Sequence, residues 1–206
     1  RSAGLGGAAR RATLIRQIRS ETANVLLLDA GDSFQGTPYF NFYKGELDFK
    51  VMSAMGYDAS TIGNHDFDAG LQGLHDVLPF ANFPLITANY DFSKTLLKGC
   101  FAPYKIFRKG GIKIGVFGLG VQLDGLVAPK LTGDTIRQPS VPVAIEMVQE
   151  LKNKKCHLII CLSHLSYYGD RALAEKVSGI DIIIGGHSHT FMDKPEHLTN
   201  DEGHTT

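Results

Sequence analysis

The sequence contains four short runs that are read as apolar, although Ser60 and Thr61 interrupt one and Asp181 another, and each run stops at a cluster of polar side chains. The four junctions are residues 25–28 before Asp29-Ala30-Gly31-Asp32, residues 59–62 before Gly63-Asn64-His65-Asp66-Phe67-Asp68, residues 158–162 before Ser163-His164, and residues 180–184 before Gly185-Gly186-His187-Ser188-His189. A short apolar run of this kind indicates a strand that is buried on both faces, as in a parallel sheet. The pattern therefore predicts four parallel strands that end in polar loops.

The polar loops are predicted to meet at one site. In open α/β sheets, and in sandwiches of such sheets, ligands collect at the carboxyl ends of the strands. The side chains expected to converge there are Asp32, Asn64, His65, His164, His187 and His189. Oxygen and imidazole donors in one place suit one divalent transition metal ion or a pair of them. A carboxylate can bridge two cations, and Asp32, which follows a glycine turn, is the candidate bridge.

Each candidate ligand also has a purely structural interpretation. Asp32 alone would be a helix cap or a turn carboxylate, and Asn64 alone would be a turn residue in left-handed geometry. A lone buried histidine such as His164 is more often structural than metal-binding. The metal-binding interpretation is favoured because the structural interpretation would have to hold independently at all four strand ends.

Composition limits the class of protein. The chain has 206 residues, of which 43% are hydrophobic and 20% charged, which is typical of one soluble globular domain. Lys plus Arg and Asp plus Glu both total 21, so no basic surface for a nucleic acid polymer or a membrane is indicated. No apolar run approaches the ~18 to 20 residues of a transmembrane helix. The three cysteines do not make a disulfide framework.

Alternating strands and helices predict an α/β layered domain. The helical periodicity of apolar residues predicts helices over residues 8–20, 47–55, 71–78, 142–154 and 170–177. Further strands are predicted over residues 85–88, 104–107 and 112–117, with the last two forming a hairpin. Residues 125–139 are polar and are predicted to be an irregular surface excursion.

The ordered set of polar clusters resembles the calcineurin-like metallophosphoesterases. The resemblance rests on Gly31-Asp32, Gly63-Asn64-His65-Asp66, His164 and Gly186-His187-Ser188-His189. The flanking residues 29–37 and 62–68 resemble, more narrowly, the N-terminal catalytic domain of the branch that contains 5′-nucleotidases, UDP-sugar hydrolases and 2′,3′-cyclic nucleotide phosphodiesterases. The resemblance implies a four-layer α-β-β-α sandwich with two divalent metal ions, Mn, Zn, Co or Fe, at its edge. It also implies hydrolysis of a small nucleotide or another phosphate ester by a metal-activated water.

The resemblance assigns roles residue by residue. Asp32, Asn64, His164 and His187 match ligands of the second metal, whereas His189 matches the last ligand of the first metal. His65 matches a histidine that protonates the leaving group or steadies the transition-state oxyanion. Asp68 matches the carboxylate that orients this imidazole and holds it protonated. Asp66, which lies between them, is assigned no direct role.

One part of the family pattern is missing from this sequence. The family begins with a strand that ends in Asp-x-His, whose two side chains bind the first metal, but residues 1–28 contain neither aspartate nor histidine. Residues 1–206 are therefore expected to be a partial catalytic domain with a trimmed start, without the first strand, the final strands and the C-terminal substrate domain. One ordered metal, or two with a weak first site, and impaired activity are expected.

Two other functions remain open from the sequence. A thiosulfate-ester hydrolase would share the fold. A non-catalytic binding module would keep a metal ion only to stabilise its structure. The missing Asp-x-His favours the binding module, but His65 and Asp68 disfavour it, because a scaffold needs neither. A plain α/β domain with scattered histidines is the third interpretation. An extracytoplasmic location is implied by the resemblance alone, and the particular phosphate ester is not indicated.

Overall fold

The computed structural model describes residues 6–206, and within them the chain alternates helices with strands. The helices are α1 (Ala8–Glu21), α2 (Pro38–Tyr43), α3 (Glu46–Met55), α4 (Gly70–Val77), α5 (Pro129–Thr132), α6 (Ser140–Asn153) and α7 (Tyr167–Lys176). The strands are β1 (Leu28–Asp29), β2 (Ala59–Ser60), β3 (Tyr90–Asp91), β4 (Tyr104–Lys109), β5 (Ile112–Leu119), β6 (Ile136–Arg137), β7 (Leu158–Ser163) and β8 (Ile182–Gly185). The predicted α/β class is therefore confirmed.

The strands that end in polar loops belong to two different sheets. In the larger sheet the order is β4-β5-β7-β8, with β4 antiparallel to β5 and the other pairs parallel. In the smaller sheet β1 runs parallel to β2, and a single parallel bridge joins Ser60 to Leu85. A separate antiparallel ribbon joins β3 to β6. The predicted site therefore lies where two sheets meet, and not along one sheet.

Three hydrophobic clusters separate four layers of secondary structure. Neighbouring residues of β7 show the arrangement, because Cys161 packs toward α6 and α7 whereas Ile160 packs toward the smaller sheet. The cluster between the sheets also contains Ala59 of β2, and Ile62 beyond it packs with Phe49 of α3 in the remaining cluster. Alternate strand residues thus face opposite layers, as the two-residue period of a strand requires. The expected α-β-β-α order follows.

Some predicted elements differ from those observed. Residues 180–184 were expected to form a buried strand, but β8 has a partner on one side only among the described residues, and Ile182 is 43% exposed. Residues 85–88 make isolated bridges rather than a regular strand. The excursion at residues 125–139 contains α5 and β6, and α2 was not predicted. These elements are short, so neither helical nor strand periodicity identifies them from the sequence.

Helix α7 begins three residues before the predicted start. The hydroxyl of Ser166 accepts a hydrogen bond from the backbone N–H of Gly169 at 3.4 Å, which caps the first turn. The early start places Tyr167 beside the loop that follows β8, because its N–H donates to the Ser188 hydroxyl at 3.0 Å. Within residues 6–206, no helix is long and apolar enough to cross a membrane.

Candidate metal centre

The loops after β1 and β2 lie against each other with almost no space between their backbones. The parallel register pairs Asp29 with Ser60, so both strands end at the same level. A β-carbon added to Gly63 would lie 2.3 Å from Asp32 Oδ1, and one added to Gly31 would lie 2.7 Å from the Gly63 nitrogen. Gly31 also has φ +88°, which glycine adopts without strain. The two glycines therefore let Asp32 and Asn64 approach each other.

The loops after β7 and β8 complete the site from the larger sheet. The parallel register pairs Ser163 with Gly185, and the Gly186 N–H donates to the Ser163 carbonyl at 2.8 Å. His164 and His187 consequently lie next to each other, with ring centroids 5.1 Å apart. The two sheets thus deliver their loops to one place, as the strand-end argument predicts.

Three side chains from these loops form a group with the spacing of a metal site. Each of Asp32, His164 and His187 offers one ligand atom, and these atoms all lie within 4.8 Å of one another. Asn64 joins the group, because its Oδ1 is 2.9 Å from His187 Nδ1. Asn64 and His164 are buried, whereas Asp32 and His187 are partly exposed. One carboxylate, one amide oxygen and two imidazoles are a suitable donor set for a divalent transition metal.

The hydrogen bonds of His164 show that its other ring nitrogen fits a metal. Its Nδ1 lies 2.6 Å from the carbonyl oxygen of Ala30, which can only accept, so Nδ1 carries a proton. Its Nε2 is buried and lies 3.0 Å from Asp32 Oδ2, but makes no hydrogen bond among the described residues. A metal-binding histidine typically donates its second N–H to a carbonyl or carboxylate. The residues present therefore fit a metal ion.

The charges of these side chains are set by burial and by the Asp32–His164 contact. Burial opposes ionisation of Asp32, but the contact with His164 and the N–H of His65 outweigh it and lower the pKa of Asp32. Burial likewise opposes the charge on His164, but Asp32 raises the pKa of His164 above its usual 6.5. Burial and the charge of His164 lower the pKa of His187. At neutral pH His187 is accordingly neutral and ready to bind a cation.

Metal binding is expected to release a proton and to weaken in acid. A metal requires His164 without a proton on Nε2, and the raised pKa of His164 means that this proton is held past pH 6.5. Affinity for Mn²⁺ should therefore rise by up to about tenfold per pH unit below that pKa and level off above it. Titration calorimetry in buffers of different ionisation enthalpy measures the released proton. Equal affinity at pH 5.5 and 7.5 would contradict the assignment.

Three candidate ligands have unusual backbone conformations. Asp32, His187 and His189 have φ of 58°, 72° and 52°, in the left-handed region that non-glycine residues rarely adopt. Such a conformation costs on the order of 1–3 kcal/mol and persists where the surrounding structure imposes it, often at functional sites. The strain is therefore concentrated in the loops that carry the metal-site candidates.

His189 is not brought into the group. It lies two residues beyond His187 and lines the same cavity, but its side chain is exposed. Among the described residues, its ring nitrogens are not part of the set within 4.8 Å. The predicted ligands of the second metal are thus close together, whereas the only predicted first-site ligand besides Asp32 stands apart.

His65 and Asp68 form a separate pair beside the metal-site group. His65 Nδ1 is 2.8 Å from Asp68 Oδ2, so Nε2 is the ring nitrogen that this contact does not use. The His65 side chain is 45% exposed, whereas the Asp68 side chain is 20% exposed. The backbone N–H of His65 donates to Asp32 Oδ1 at 2.8 Å. The backbone of His65 therefore contacts the candidate ligand Asp32, whereas its side chain contacts Asp68.

Two residues in contact with these groups were given no role from the sequence. Gln35, whose φ is 81°, donates from Nε2 to Asp68 Oδ2 at 2.6 Å. Asp66 is 1% exposed, and burial raises its pKa to about 7 although the Gly63 N–H favours its ionised form. The sequence signal for Asp66 is its position between two motif residues and before the apolar Phe67. Gln35 has no comparable signal, because its contact spans 33 residues.

A cavity of about 620 Å³ opens beside the group. Its lining includes Asp32, His164 and His187 together with residues of β8, α7 and the segment after His189. Glu196 holds this segment to α7, since it accepts hydrogen bonds from Tyr167 at 2.7 Å and from Arg171 at 2.6 Å. The volume lies in the range that holds small-molecule ligands, ~300 to 1,000 Å³.

Known proteins are similar to this chain over most of its length. The family model of calcineurin-like phosphoesterases matches residues 4–191. A snake venom 5′-nucleotidase of Gloydius brevicauda is 40% identical over 195 residues, which cover 91% of this chain and 32% of that protein. The chain thus spans about a third of the length of the curated relatives it matches.

Solved structures give the same result. A 5′-nucleotidase precursor of Thermus thermophilus superposes with a TM-score of 0.90 at 37% identity, over 97% of this chain and 42% of that one. A sulfate thiohydrolase of the same organism has a TM-score of 0.85 at 23% identity, over 92% of this chain and 36% of that one, which shows the fold alone. Calcineurin-like phosphoesterases use divalent metal ions, and the described residues contain a candidate metal site. The chain belongs to the calcineurin-like phosphoesterase family.

Proposed function

We propose that this chain is the catalytic part of a metal-dependent phosphohydrolase that removes phosphate from nucleotides, in the manner of a 5′-nucleotidase. The observation that carries the proposal is the presence of two distinct groups side by side. Asp32, His164 and His187 have metal-site spacing, and His65 pairs with Asp68 without entering that group. The relatives named 5′-nucleotidase support nucleotides as the substrate class.

The residues divide the reaction between them. When bound, divalent ions supply positive charge and a water acidified to near-neutral pKa for attack at phosphorus. Asp32, Asn64, His164 and His187 would hold such an ion. His65 would donate a proton from Nε2 to the leaving oxygen or stabilise its negative charge. Asp68 accepts from Nδ1 and so keeps the imidazole in the orientation that this role needs.

We further propose that one metal is held firmly and a second weakly. Asp32, Asn64, His164 and His187 are near one another, whereas exposed His189 is outside the group. The identity of the metal, Mn, Zn, Co or Fe, is left to experiment, because imidazole and carboxylate donors suit several of these ions.

The first test is metal stoichiometry together with hydrolysis. The chain is saturated with Mn²⁺ or Zn²⁺, freed of excess ion, and assayed by elemental analysis and with AMP and p-nitrophenyl phosphate. We expect one ion per chain and slow, metal-dependent release of phosphate. Two ions per chain with rapid turnover would show that His189 or another group completes the first site. No bound ion under saturating conditions would overturn the metal centre.

A metal-stabilised binding module is the second candidate. The separation of His189 favours it, because a single complete site suffices for a structural ion. The His65–Asp68 pair speaks against it, since a scaffold has no use for an oriented imidazole beside the metal. Thiosulfate-ester hydrolysis is supported only by a shared fold.

Location and partners follow from the relatives and are proposals. One relative is named as a venom enzyme and another as a precursor, which supports an extracytoplasmic location. Because the chain spans about a third of its curated relatives, we propose that a further domain binds the nucleoside part of the substrate.

A further inference from the structure

The carboxyl group of Asp66 joins the two loops of the smaller sheet that carry candidate ligands. Its Oδ2 accepts from the N–H of Asp32 at 3.1 Å and from the N–H of Gly63 at 2.7 Å. Its Oδ1 accepts from the N–H of Ser33 at 3.1 Å. Two of these donors belong to the loop after β1, and the third belongs to the loop after β2. One buried side chain therefore fixes the separation of the two loops.

Asp32 makes the reciprocal connection. Its own Oδ1 accepts from the backbone N–H of His65, in the loop that also carries Asp66, at 2.8 Å. Each loop thus presents a carboxylate to the backbone N–H groups of the other. We infer that Asp66 is a positioning residue that holds Asp32 in its metal-binding conformation through these backbone hydrogen bonds.

The backbone conformation of Asp32 explains why these hydrogen bonds from Asp66 are needed. With φ at 58°, Asp32 has a conformation that an aspartate seldom adopts without support. The hydrogen bond to Asp66 originates from the N–H of this same residue. Loss of that bond would let Asp32 relax toward ordinary backbone geometry, and its Oδ2 would move away from His164. The inference rests on the metal centre of the proposed function and adds the residue that preorganises it.

Hydrogen-bond chemistry distinguishes this role from simple filling of space. Asp66 receives three N–H donors on two oxygens, which only a carboxylate can accept. An asparagine has the same shape, but its NH₂ group would face an N–H, leaving at least one buried donor unpaired. A glutamate is larger by one methylene but keeps both acceptors. A positioning role predicts that glutamate is tolerated better, whereas a packing role predicts that asparagine is.

The experiment measures Mn²⁺ affinity of the folded chain for wild type, Asp66→Asn and Asp66→Glu. We expect Asp66→Asn to bind Mn²⁺ about 10- to 100-fold more weakly, the usual effect of losing a group that orients ligands. Asp66→Glu should lose less affinity than Asp66→Asn. Amide hydrogen exchange of metal-free protein gives a second readout, with faster exchange expected at Asp32, Ser33 and Gly63 in Asp66→Asn.

Asp58→Asn is the matched control. Asp58 also accepts a backbone N–H, from Leu27 at 2.8 Å, but its ion-pair partners are Arg19 and Lys109, outside the site. It should lower the thermal midpoint while leaving Mn²⁺ affinity unchanged.

Each outcome decides between positioning and packing. Wild-type Mn²⁺ affinity in folded Asp66→Asn, or weaker binding in Asp66→Glu than in Asp66→Asn, would overturn the inference. If Asp66→Asn does not fold, an Asp66→Glu affinity more than about tenfold below wild type would overturn it, because the predicted tolerance would be absent. If wild type binds no Mn²⁺, the proposed metal centre is wrong. Unchanged amide hydrogen exchange at Asp32, Ser33 and Gly63 in Asp66→Asn would separately refute the positioning role of Asp66.

Discussion

Replacing His65 by asparagine is expected to lower the turnover of AMP by about 10²- to 10⁴-fold, the usual contribution of general acid catalysis. The variant removes the imidazole that pairs with Asp68 but keeps the backbone N–H that donates to Asp32 Oδ1 at 2.8 Å. The loop and the neighbouring Asn64 should therefore stay in place. Mn²⁺ affinity is expected to remain within a few-fold of wild type, so the loss would appear in turnover.

The choice of substrate sharpens this test. p-Nitrophenolate leaves as a stable anion without protonation, whereas the ribose oxygen of AMP does not. A smaller loss with p-nitrophenyl phosphate than with AMP would assign His65 as the proton donor, and equal losses would favour stabilisation of the transition-state oxyanion. His75→Asn is the control, because His75 is exposed on α4 and lies outside the metal-site group. Unchanged turnover in His65→Asn would contradict a catalytic role for His65, and the His65–Asp68 pair would then no longer speak against the binding module.

Replacing Gly63 by alanine is expected to have the second large effect. The added β-carbon would lie 2.3 Å from Asp32 Oδ1 and 2.6 Å from the Asp32 nitrogen, and backbone atoms have little room to move. Overpacking of this kind costs about 1–3 kcal/mol in the free energy of unfolding, occasionally more. Because the displaced group is the candidate bridging ligand, Mn²⁺ affinity should fall by about 100-fold, the upper end for disturbed ligand orientation.

Gly115→Ala separates the two effects in Gly63→Ala. A β-carbon at Gly115 would lie 2.7 Å from Leu151 Cδ2, in the core beside α6 and away from the site. This control should also lower the denaturant midpoint but leave Mn²⁺ affinity unchanged. Calorimetric titration of both folded variants below their unfolding transitions makes the comparison. Wild-type affinity in Gly63→Ala would show that the loops are not in the close contact described.

Much of the fold follows from local patterns in the sequence. Helix α6 and strand β7 were predicted within two residues of their bounds. For α6 the signal is a helical period of apolar residues sustained over thirteen predicted positions, and for β7 it is an uninterrupted apolar run. Strand β8 was placed correctly but expected to be buried. Its exposure depends on whether a second strand pairs with its other edge, and the local sequence does not indicate this.

The residue types that reach the site follow from the sequence, because the side chains that directly follow a buried strand lie at the carboxyl edge of its sheet. Asp32, Asn64, His164 and His187 were selected in this way, and their roles as ligands stay predictions. Which of the candidates come together depends on the tertiary structure. It separated His189 from the group and connected Asp66 and Gln35 to residues 33 or more positions away. The contacts of Asp66 and Gln35 arise because β1 and β2 pair in one sheet and bring their loops together. The position of His189 depends on how the larger sheet packs against the smaller one. Neither is set by the spacing of residues along the chain.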